Sequence, residues 1–294
     1  MKTRLFHLHA LSALHVGTGQ GVGAVDLPIA RSRATNLPIV AGSAIKGVLR
    51  DEFENEKSPN KLKTSDIKTL FGASANDENQ NAGAVAFGDA HLLLLPVRSF
   101  AGTVAYATCP FILKRYQRDL QNTGDDNIPK LPQPSKDAQT VSDSQILIDG
   151  NKIALEDLDM NAKVDKLAEE WAAKIAEAVY PDNQDNWRQE LTQRFVILPD
   201  DVFSFLADTA TEIRTRIKID REKRIVDKGM LWTEENLPCE TVLWGVFGVA
   251  VSRDRKNPKT ADELNQLLPE KELHIQLGGK HTVGRGLCRL LIGQ

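Results

Sequence analysis

Hydrophobic and polar residues alternate along residues 2–11, where positions 6, 8 and 10 are apolar and His7 stands between two of them. Strand side chains point to opposite faces in turn, so this period of two predicts a first β-strand. Apolar runs predict further strands in residues 81–97 and 102–113, the second one followed by a turn at Pro110.

Two other segments have the period of an α-helix. Residues 43–53 carry one apolar stripe, and Ser43, Lys46 and Arg50 lie on the opposite, basic face. Residues 157–180 repeat apolar residues every three or four positions in an acidic context, so we expect an amphipathic helix that serves as scaffold. The mixture of strands and helices predicts an α+β fold of the split βαβ type with long insertions.

Residues 211–251 predict a long hairpin that projects from the fold. Its first limb, "IRTRIKI", alternates apolar and basic residues, and its second limb is predicted in "TVLWGVFGVAV" (241–251). Glu234 and Glu235 fall between the limbs, at the predicted tip. Earlier in the chain, residues 121–144 are polar and contain prolines, so we expect them to form an exposed, mobile loop.

The net charge of −3 conceals an uneven distribution of charge along the 294 residues. Residues 1–50 contain six Lys or Arg and a single acid, whereas residues 119–200 contain eight basic and seventeen acidic residues. Residues 211–230 and 271–294 are again basic. Three separated basic segments are typical of a groove for a polyanion, and ordinary solvated surfaces are the alternative interpretation.

No segment approaches the roughly 18 apolar residues of a membrane-spanning helix, and the N-terminus lacks the apolar stretch of a signal peptide. We therefore expect a cytoplasmic protein without a membrane partner. Cys109, Cys239 and Cys288 are far apart and odd in number, which favours neither a disulfide framework nor a zinc cluster.

Four glycines at alternate positions, from Gly17 to Gly23, raise the question of a nucleotide-binding fingerprint. The pattern G-x-G-x-x-G requires a helix directly after it, and Pro28 would fall within the first turns of that helix, which argues against a nucleotide-cofactor enzyme. The loop is better suited to bring its backbone close to a ligand. Arg31 and Arg33 follow it, and phosphate groups are the ligands that such a basic surface favours.

Asp26 is the only carboxylate among the first fifty residues, and it lies between the glycines and the arginines. An isolated acid in a basic setting is a candidate catalytic or metal-binding group, and a turn-forming residue before Pro28 is the alternative. His15, at the entry of the loop, is a candidate for proton transfer or a structural residue. Glu234 and Glu235 form a further candidate pair, with simple solvation as the alternative.

Several segments, taken in order, resemble the RAMP proteins of CRISPR–Cas effector complexes, and among them the Cas7-like backbone subunits of type III-B. Each glycine loop alone is a weak signal, but the ordered set spans nearly the whole chain. The segments are "LHVGTG" (14–19), "VDLPIAR" (25–31), "LPIVAGSAIKGVLR" (37–50), "LFG" (70–72), "GAVAFGDAHLLLLPVRS" (83–99), "YATCP" (106–110) and "GGKHTVGRG" (278–286).

The resemblance implies a ferredoxin-like or RRM-like core in a single domain over 1–294, with an acidic helical insertion at 115–200 and a thumb hairpin at 211–245. It also implies multiple copies of the chain in a filament that, together with other subunits of the complex, holds a guide crRNA while target RNA pairs with it. The implied RNA contacts are Arg31, Arg33, Gly42, Ser43, Lys46, Arg50, Gly279, Lys280 and Arg285.

In this family, target cleavage depends on an aspartate in the loop after the first strand, and Asp26 occupies that place. The implied reaction is attack of a 2′-hydroxyl on the neighbouring phosphate with a divalent metal at Asp26, Mg²⁺ by preference. His15, Glu234 and Glu235 are implied to assist. A non-catalytic Cas7-like scaffold and the type III-A counterpart stay open as alternatives, and Asp26 favours a catalytic subunit because a scaffold needs no acid in a basic loop.

Overall fold

A computed structural model describes residues 1–21, 23–74, 80–133, 135–181, 184–220, 222, 224–269 and 272–293. Its strands are β1 (Lys2–Ala10), β2 (Ile39–Val40), β3 (Val85–Phe87), β4 (Ala90–Arg98), β5 (Val104–Thr108), β6 (Ala138–Thr140), β7 (Lys152–Leu155), β8 (Leu158–Val164), β9 (Phe195–Ile197), β10 (Glu212–Ile219), β11 (Val226–Asn236), β12 (Val242–Val249), β13 (Glu272–Gln276) and β14 (Leu287–Ile292). Its helices are α1 (Gly42–Glu54), α2 (Thr64–Phe71), α3 (Pro110–Asn122), α4 (Lys166–Val179), α5 (Asp185–Thr192), α6 (Asp200–Thr209) and α7 (Ala261–Asn265). Across these described ranges, no helix has the length and apolar character needed to cross a membrane.

Twelve of these strands form one sheet. Its order is β13-β14-β1-β12-β4-β5-β9-β6-β8-β7, with β2 beside β4 and β3 beside β12. Most neighbouring strands are antiparallel, and the pairs β5–β9 and β6–β8 are parallel. A mixed sheet with helices packed against it confirms the predicted α+β class.

Strand β1 separates two hydrophobic cores. Phe6 faces a core that includes Leu49 of α1. His7 points to the opposite side of the sheet, where its Nε2 lies 2.7 Å from the hydroxyl oxygen of Tyr116 in α3. The alternation predicted for the first strand is therefore confirmed, and it places α1 on one face of the sheet and α3 on the other.

Strands β10 and β11 form a separate two-stranded hairpin. In its register Ile213 is opposite Glu235 and Ile217 is opposite Leu231, and directly opposed residues share a face. The face that we call the apolar face therefore carries Ile213, Ile217 and Leu231, which are 51%, 46% and 62% exposed. The other face, called the basic face, carries Arg214, Arg216, Trp232 and Glu234.

The prediction that residues 241–251 form the second limb of this hairpin is wrong. Residues 242–249 form β12, which lies between β1 and β4 in the large sheet and is buried on both faces. A strand buried on both faces is one continuous apolar run, and such a run does not reveal which partner it has. The hairpin ends at Asn236, so Glu234 and Glu235 lie at its base and not at its tip. Residues 221 and 223 of the predicted hairpin lie outside the described residues.

The predicted helical insertion at 115–200 contributes four strands, β6 to β9, to the large sheet. A turn is predicted at Pro110, but this residue is the first of α3. Proline is tolerated there because the N–H of the first helical residue makes no hydrogen bond within the helix. Residues 158–164 form β8, so the helix predicted from 157 begins only at Lys166. Within the predicted mobile loop 121–144, β6 is fully buried. Residues 134, 182 and 183 of this insertion lie outside the described part of the chain.

Candidate nucleic-acid interface and active site

The glycine-rich loop after β1 runs along the free edge of β11. The Leu27 N–H donates to the carbonyl oxygen of Thr233 at 3.1 Å, and the Glu235 N–H donates to the carbonyl oxygen of Leu27 at 3.0 Å. This short parallel pairing attaches the loop to the base of the hairpin. No helix occurs in residues 23–41, which confirms that the loop is not a dinucleotide fingerprint.

Asp26 is fixed at this junction by Thr233. Its Oδ2 accepts hydrogen bonds from the Thr233 N–H at 2.8 Å and from the Thr233 hydroxyl at 2.9 Å. The side chain is otherwise exposed to solvent. The Thr233 backbone bond, followed by the hydroxyl bond, lowers the pKa of Asp26 below its usual value. Asp26 therefore presents an exposed, ionised carboxylate that is held through its Oδ2.

The chain offers few ligands for a divalent metal at Asp26. Among the described residues, no group of three or more His, Cys, Asp or Glu side chains is placed to hold a metal ion. Mg²⁺ is commonly bound through one or two carboxylates, with substrate phosphates and waters as the remaining ligands. Oδ1 of Asp26 fits such a site as one protein ligand, and RNA phosphates would have to supply others.

His15 joins three parts of the chain at this site. It is 5% exposed, and its Nδ1 lies 2.7 Å from the carbonyl oxygen of Glu235, so Nδ1–H donates to hairpin backbone. Its own carbonyl oxygen accepts from the Gly279 N–H at 2.9 Å. A Cβ on Gly17 would lie 2.6 Å from Nε2 of His15, so glycine is required there. His15 thus has a structural place, and its assisting role remains a prediction.

Glu234 is not a solvated acid at a tip, as the sequence suggested. Its side chain is 0% exposed, and its Oε1 accepts from Trp232 Nε1 at 2.8 Å and from Lys280 Nζ at 3.2 Å. Burial acts to raise the pKa of Glu234, but the bonds from Trp232 and Lys280 outweigh it and the pKa is lowered. In this chain Glu234 is a buried acceptor that holds Lys280 and Trp232, and its assisting role in cleavage stays a prediction.

Glu235 is also buried, and its carboxylate accepts hydrogen bonds from three other residues. Its Oε2 accepts from the Ile29 N–H at 3.1 Å, and its Oε1 accepts from Arg31 Nη2 at 2.6 Å and from the Thr211 hydroxyl at 3.0 Å. Arg31 is also paired with Asp208 at 3.0 Å. These bonds join the glycine loop to the hairpin. They also neutralise Arg31, which leaves it a weaker candidate for RNA contact than the sequence indicated.

The C-terminal glycine loop closes over the basic face of the hairpin. Lys280 adopts a left-handed backbone conformation, with φ of 65°, and its Nζ lies 5.5 Å from the centroid of the Trp232 ring. Arg285 is only 7% exposed. A Cβ on Gly286 would lie 1.8 Å from the carbonyl oxygen of Leu277, so only glycine permits this close return of the chain.

The basic face of α1 is a second, separate surface, which we call the α1 patch. Ser43 is exposed at its start. Lys46 Nζ donates to the carbonyl oxygen of Val85 at 2.9 Å, and Arg50 pairs with Glu54 at 2.8 Å. Burial lowers the pKa of Lys46, and the neighbouring positive charges add to that effect. The predicted contact residues on α1 therefore do share one accessible face.

Gly42 and Arg33 complete the predicted contacts. A Cβ on Gly42 would lie 2.2 Å from the carbonyl oxygen of Phe87, so this glycine serves the packing of α1. Arg33 is exposed in a turn between the loop and α1.

Sequence reasoning missed several residues of the site. The structure gathers His15, Asp26, Glu234, Glu235, Gly279, Lys280 and Arg285 around the base of the hairpin. Thr233 and Trp232 had no recognisable signal in the sequence, because their role depends on contacts with distant segments. Arg214 and Arg216 were visible in the alternation of "IRTRIKI", but their relation to Arg285 was not.

Comparisons with known proteins agree with this architecture. The model of the RAMP superfamily matches residues 7–289, and the chain belongs to this superfamily. Within it, the chain is related to Cmr4 proteins: it is 33% identical over 299 residues to the "CRISPR system Cmr endoribonuclease Cmr4" of Pyrococcus furiosus, covering 99% of this chain and 96% of that protein. The crystal structure of oligomeric Cmr4 from the same organism superposes with a TM-score of 0.73 at 27% identity, over 99% of this chain and 98% of that one.

The type III-A counterpart is a more partial match. The "CRISPR system Cms endoribonuclease Csm3" of Streptococcus thermophilus is 28% identical over 161 residues, which are 48% of this chain and 73% of that protein. The resemblance to RAMP proteins noted from the sequence is thereby confirmed, and the type III-B relationship accounts for far more of the chain than the type III-A one.

Proposed function

We propose that this chain is a repeated backbone subunit of a type III-B CRISPR effector complex that binds crRNA and cleaves the target RNA paired with it. The similarity to a Cmr endoribonuclease extends over 99% of the chain, which supports a shared activity. The single observation that carries the catalytic part is the position of Asp26. Its carboxylate is ionised, exposed and fixed by Thr233 at the base of the hairpin.

In this proposal the two basic surfaces divide the binding of RNA. The α1 patch, with Ser43, Lys46 and Arg50, contacts guide phosphates, and the exposed Arg33 lies along the same path. The C-terminal loop with Gly279, Lys280 and Arg285 contributes at the hairpin base. Base pairing between guide and target supplies the sequence specificity, and the protein binds the backbone.

The hairpin separates successive stretches of the duplex and joins neighbouring copies. Its apolar face exposes Ile213, Ile217 and Leu231, an unusual concentration of large apolar side chains for a projecting ribbon. Such a face is suited to stack on unpaired bases or to pack on another copy. Self-association is consistent with the relative described as oligomeric Cmr4, and other Cmr-type subunits would complete the particle.

Cleavage follows from placing a 2′-hydroxyl next to Asp26. The 2′-oxygen forms a bond to the adjacent phosphorus and the bond from phosphorus to the 5′-oxygen breaks. The leaving 5′-oxygen takes a proton from solvent water, and the products are a cyclic phosphate and a 5′-hydroxyl. Asp26 orients the attacking hydroxyl and accepts its proton. A divalent ion such as Mg²⁺, bound through Oδ1 and phosphate oxygens, would supply neutralisation of the negative charge that develops.

Asp26→Asn in the reconstituted complex tests this function. The amide keeps the size of the side chain and removes its charge, so we expect cleavage of complementary RNA to fall by about 100-fold or more while assembly and RNA binding stay unchanged. Asp157→Asn, at a side chain fully exposed beyond β7, is the matched control and should cleave normally. Unchanged cleavage by Asp26→Asn would remove Asp26 from the chemistry and favour a non-catalytic scaffold.

A further inference from the structure

The loop between β12 and α7 carries an excess of positive charge. Residues 251–259, "VSRDRKNPK", contain four Lys or Arg and one acid, Asp254. Arg253, Arg255 and Lys256 are exposed, whereas Asp254 is partly buried. This loop lies outside the three basic segments that the charge distribution indicated and outside the predicted RNA contacts. It is therefore an additional basic surface, which we call the 251–259 loop.

Hydrogen bonds within the 251–259 loop give it a defined shape. Oδ1 of Asp254 accepts from the Lys256 N–H at 2.9 Å. The Ser252 hydroxyl oxygen accepts from the Asp254 N–H at 3.1 Å and donates to the carbonyl oxygen of Asn257 at 2.8 Å. Short polar side chains that bond to nearby backbone in this way are typical of ordered turns. The acid of the loop thus serves the turn, while the arginines on either side of it are exposed to solvent.

Helix α2 holds the 251–259 loop against the fold. Nδ2 of Asn257 donates to Thr69 Oγ1 at 3.0 Å, and Lys259 Nζ lies 2.8 Å from Oδ1 of Asp66, which is 7% exposed. Lys259 is therefore an internal ion-pair partner. The loop combines one cation that attaches it to α2 with others that face solvent.

The 251–259 loop begins beside the α1 patch. The Ala250 N–H donates to the carbonyl oxygen of Ala84 at 2.9 Å, and Lys46 Nζ donates to the carbonyl oxygen of Val85, the next residue, at 2.9 Å. Burial, followed by neighbouring positive charges, lowers the pKa of Lys46, and Arg253 is one of these charges. Arg253 and Lys46 are thus close enough to repel each other, and an anion beside them would relieve that repulsion.

An RNA strand has the chemistry that suits this arrangement. Each phosphodiester carries one negative charge and two free oxygens, which match the planar fork of a guanidinium. The proposed function places guide phosphates at Lys46, and a strand that continues from there towards the 251–259 loop meets exposed arginines. An acidic protein surface is the other class of ligand for such a loop. Continuity with the α1 patch favours RNA.

We propose that Arg253 and Arg255 extend the RNA-binding surface of the α1 patch, and that each binds one phosphate of the strand beyond the phosphate held by Lys46. The proposal deepens the proposed function and rests on it, because it specifies how far the RNA-binding surface extends from α1. In this assignment Asp254 and Lys259 shape the loop and do not contact RNA.

The salt dependence of RNA binding tests this extension. For single-stranded RNA the slope of log K against log salt concentration is about −0.7 for each phosphate contact. In the full chain, Arg253→Gln combined with Arg255→Gln should make the slope for a labelled short oligouridylate shallower by about 1.4 and weaken binding about tenfold at low salt. Arg98→Gln, at an exposed arginine paired with Glu156, is the control and should leave the slope unchanged.

Lys259→Gln is the matched control within the loop. It removes the same charge from the same turn, but it breaks the ion pair with Asp66, so we expect a lower Tm and an unchanged slope. The Arg253 and Arg255 variant should keep its Tm, because both side chains are exposed. Equal slopes in the two loop variants would show that only the overall charge matters and would overturn the proposal.

Two further outcomes separate this proposal from the proposed function. If Lys46→Glu combined with Arg50→Glu makes the slope shallower and the Arg253 and Arg255 variant does not, the RNA-binding surface ends at α1 and the extension is overturned while the proposed function stands. If neither variant changes the slope, both are overturned. An unchanged slope with a loss of multi-copy assembly on guide RNA would assign the loop to a protein contact, which also overturns the extension.

Discussion

The α1 patch and the base of the hairpin are two basic surfaces built in different ways. The α1 patch lies on one helix of 13 residues, and its arginine and lysine are already paired with a neighbouring carboxylate and a carbonyl group. The base of the hairpin is assembled from the glycine loop, β10–β11 and the C-terminal loop, and it contains both an exposed acid, Asp26, and a largely buried cation, Arg285. The first surface is suited to holding RNA, and only the second combines binding with chemistry.

The two surfaces also differ in how much their side chains contribute to the stability of the fold. Side chains on the α1 patch lie opposite the buried stripe of the helix, and the contact that Lys46 makes with the fold is a single hydrogen bond to the Val85 carbonyl oxygen. At the base of the hairpin, Glu234 and Glu235 are buried and join segments that are distant in sequence. We therefore expect substitutions in the two regions to have separable effects on stability, RNA affinity and cleavage.

The largest expected effect is on stability, at Glu235. Glu235→Ala removes the acceptor for Ile29, Arg31 and Thr211 in a buried position, and we expect the free energy of unfolding to fall by about 3 kcal/mol. Glu54→Ala, which removes the exposed partner of Arg50 on α1, should change it by less than about 0.5 kcal/mol. Chemical denaturation measures both, and equal effects would contradict the distinction between the two regions.

The next effect is on RNA affinity, at the α1 patch. Lys46→Glu combined with Arg50→Glu should weaken binding of guide RNA about tenfold or more and reduce the salt slope by about 1.4, because two phosphate contacts are lost. The Tm should change little, since both side chains lie on the accessible face. Filter binding at several salt concentrations provides the measurement. Normal retention of crRNA by this variant would show that α1 does not line the RNA path.

The smallest effect is on cleavage, at Thr233. Thr233→Val removes the hydroxyl bond to Asp26 and keeps the backbone bond, so we expect cleavage to fall about fivefold at unchanged affinity. In the proposed mechanism Asp26 acts in its ionised form, and the Thr233 bonds lower its pKa. Their partial loss raises that pKa, and the acid limb of the pH–rate profile should move to higher pH.

A matched control for this variant is available across the hairpin. Thr215 lies directly opposite Thr233 in the register, and the side-chain bonds of Asp26 are to Thr233, so Thr215→Val should leave the profile unchanged. If both variants shifted the acid limb equally, the effect would belong to the hairpin and not to Asp26.

The features predicted correctly are those that depend on the spacing of hydrophobic and polar residues within one helix, strand or loop. The alternation around His7 and the basic face of α1 are properties of single elements, and both are confirmed. The exclusion of a nucleotide-binding fingerprint is also confirmed, because it depends only on the conformation of the chain around Pro28. The resemblance to RAMP proteins also predicted how these elements combine into one fold, which the pattern of a single segment does not show.

The sequence did not show which residues that are distant along the chain contact one another in the fold. Residues 242–249 were assigned to the hairpin because a doubly buried strand has the same apolar composition whichever neighbour it has. The true second limb, Val226–Asn236, mixes charged and apolar residues, and this mixture resembles a polar tip more than a strand. As a result the buried positions of Glu234 and Glu235, and the contact between Thr233 and Asp26, appear only in three dimensions.

The central claim is that cleavage at Asp26, at the base of the hairpin, is separable from RNA binding by the α1 patch. The most direct test measures, in one preparation of each variant, the cleavage rate of the saturated complex and the salt slope of RNA binding by the full chain. We expect Asp26→Asn to lose cleavage with an unchanged slope, and Lys46→Glu combined with Arg50→Glu to have a shallower slope while it retains cleavage at saturation. Loss of both properties in both variants, or of neither, would contradict the account.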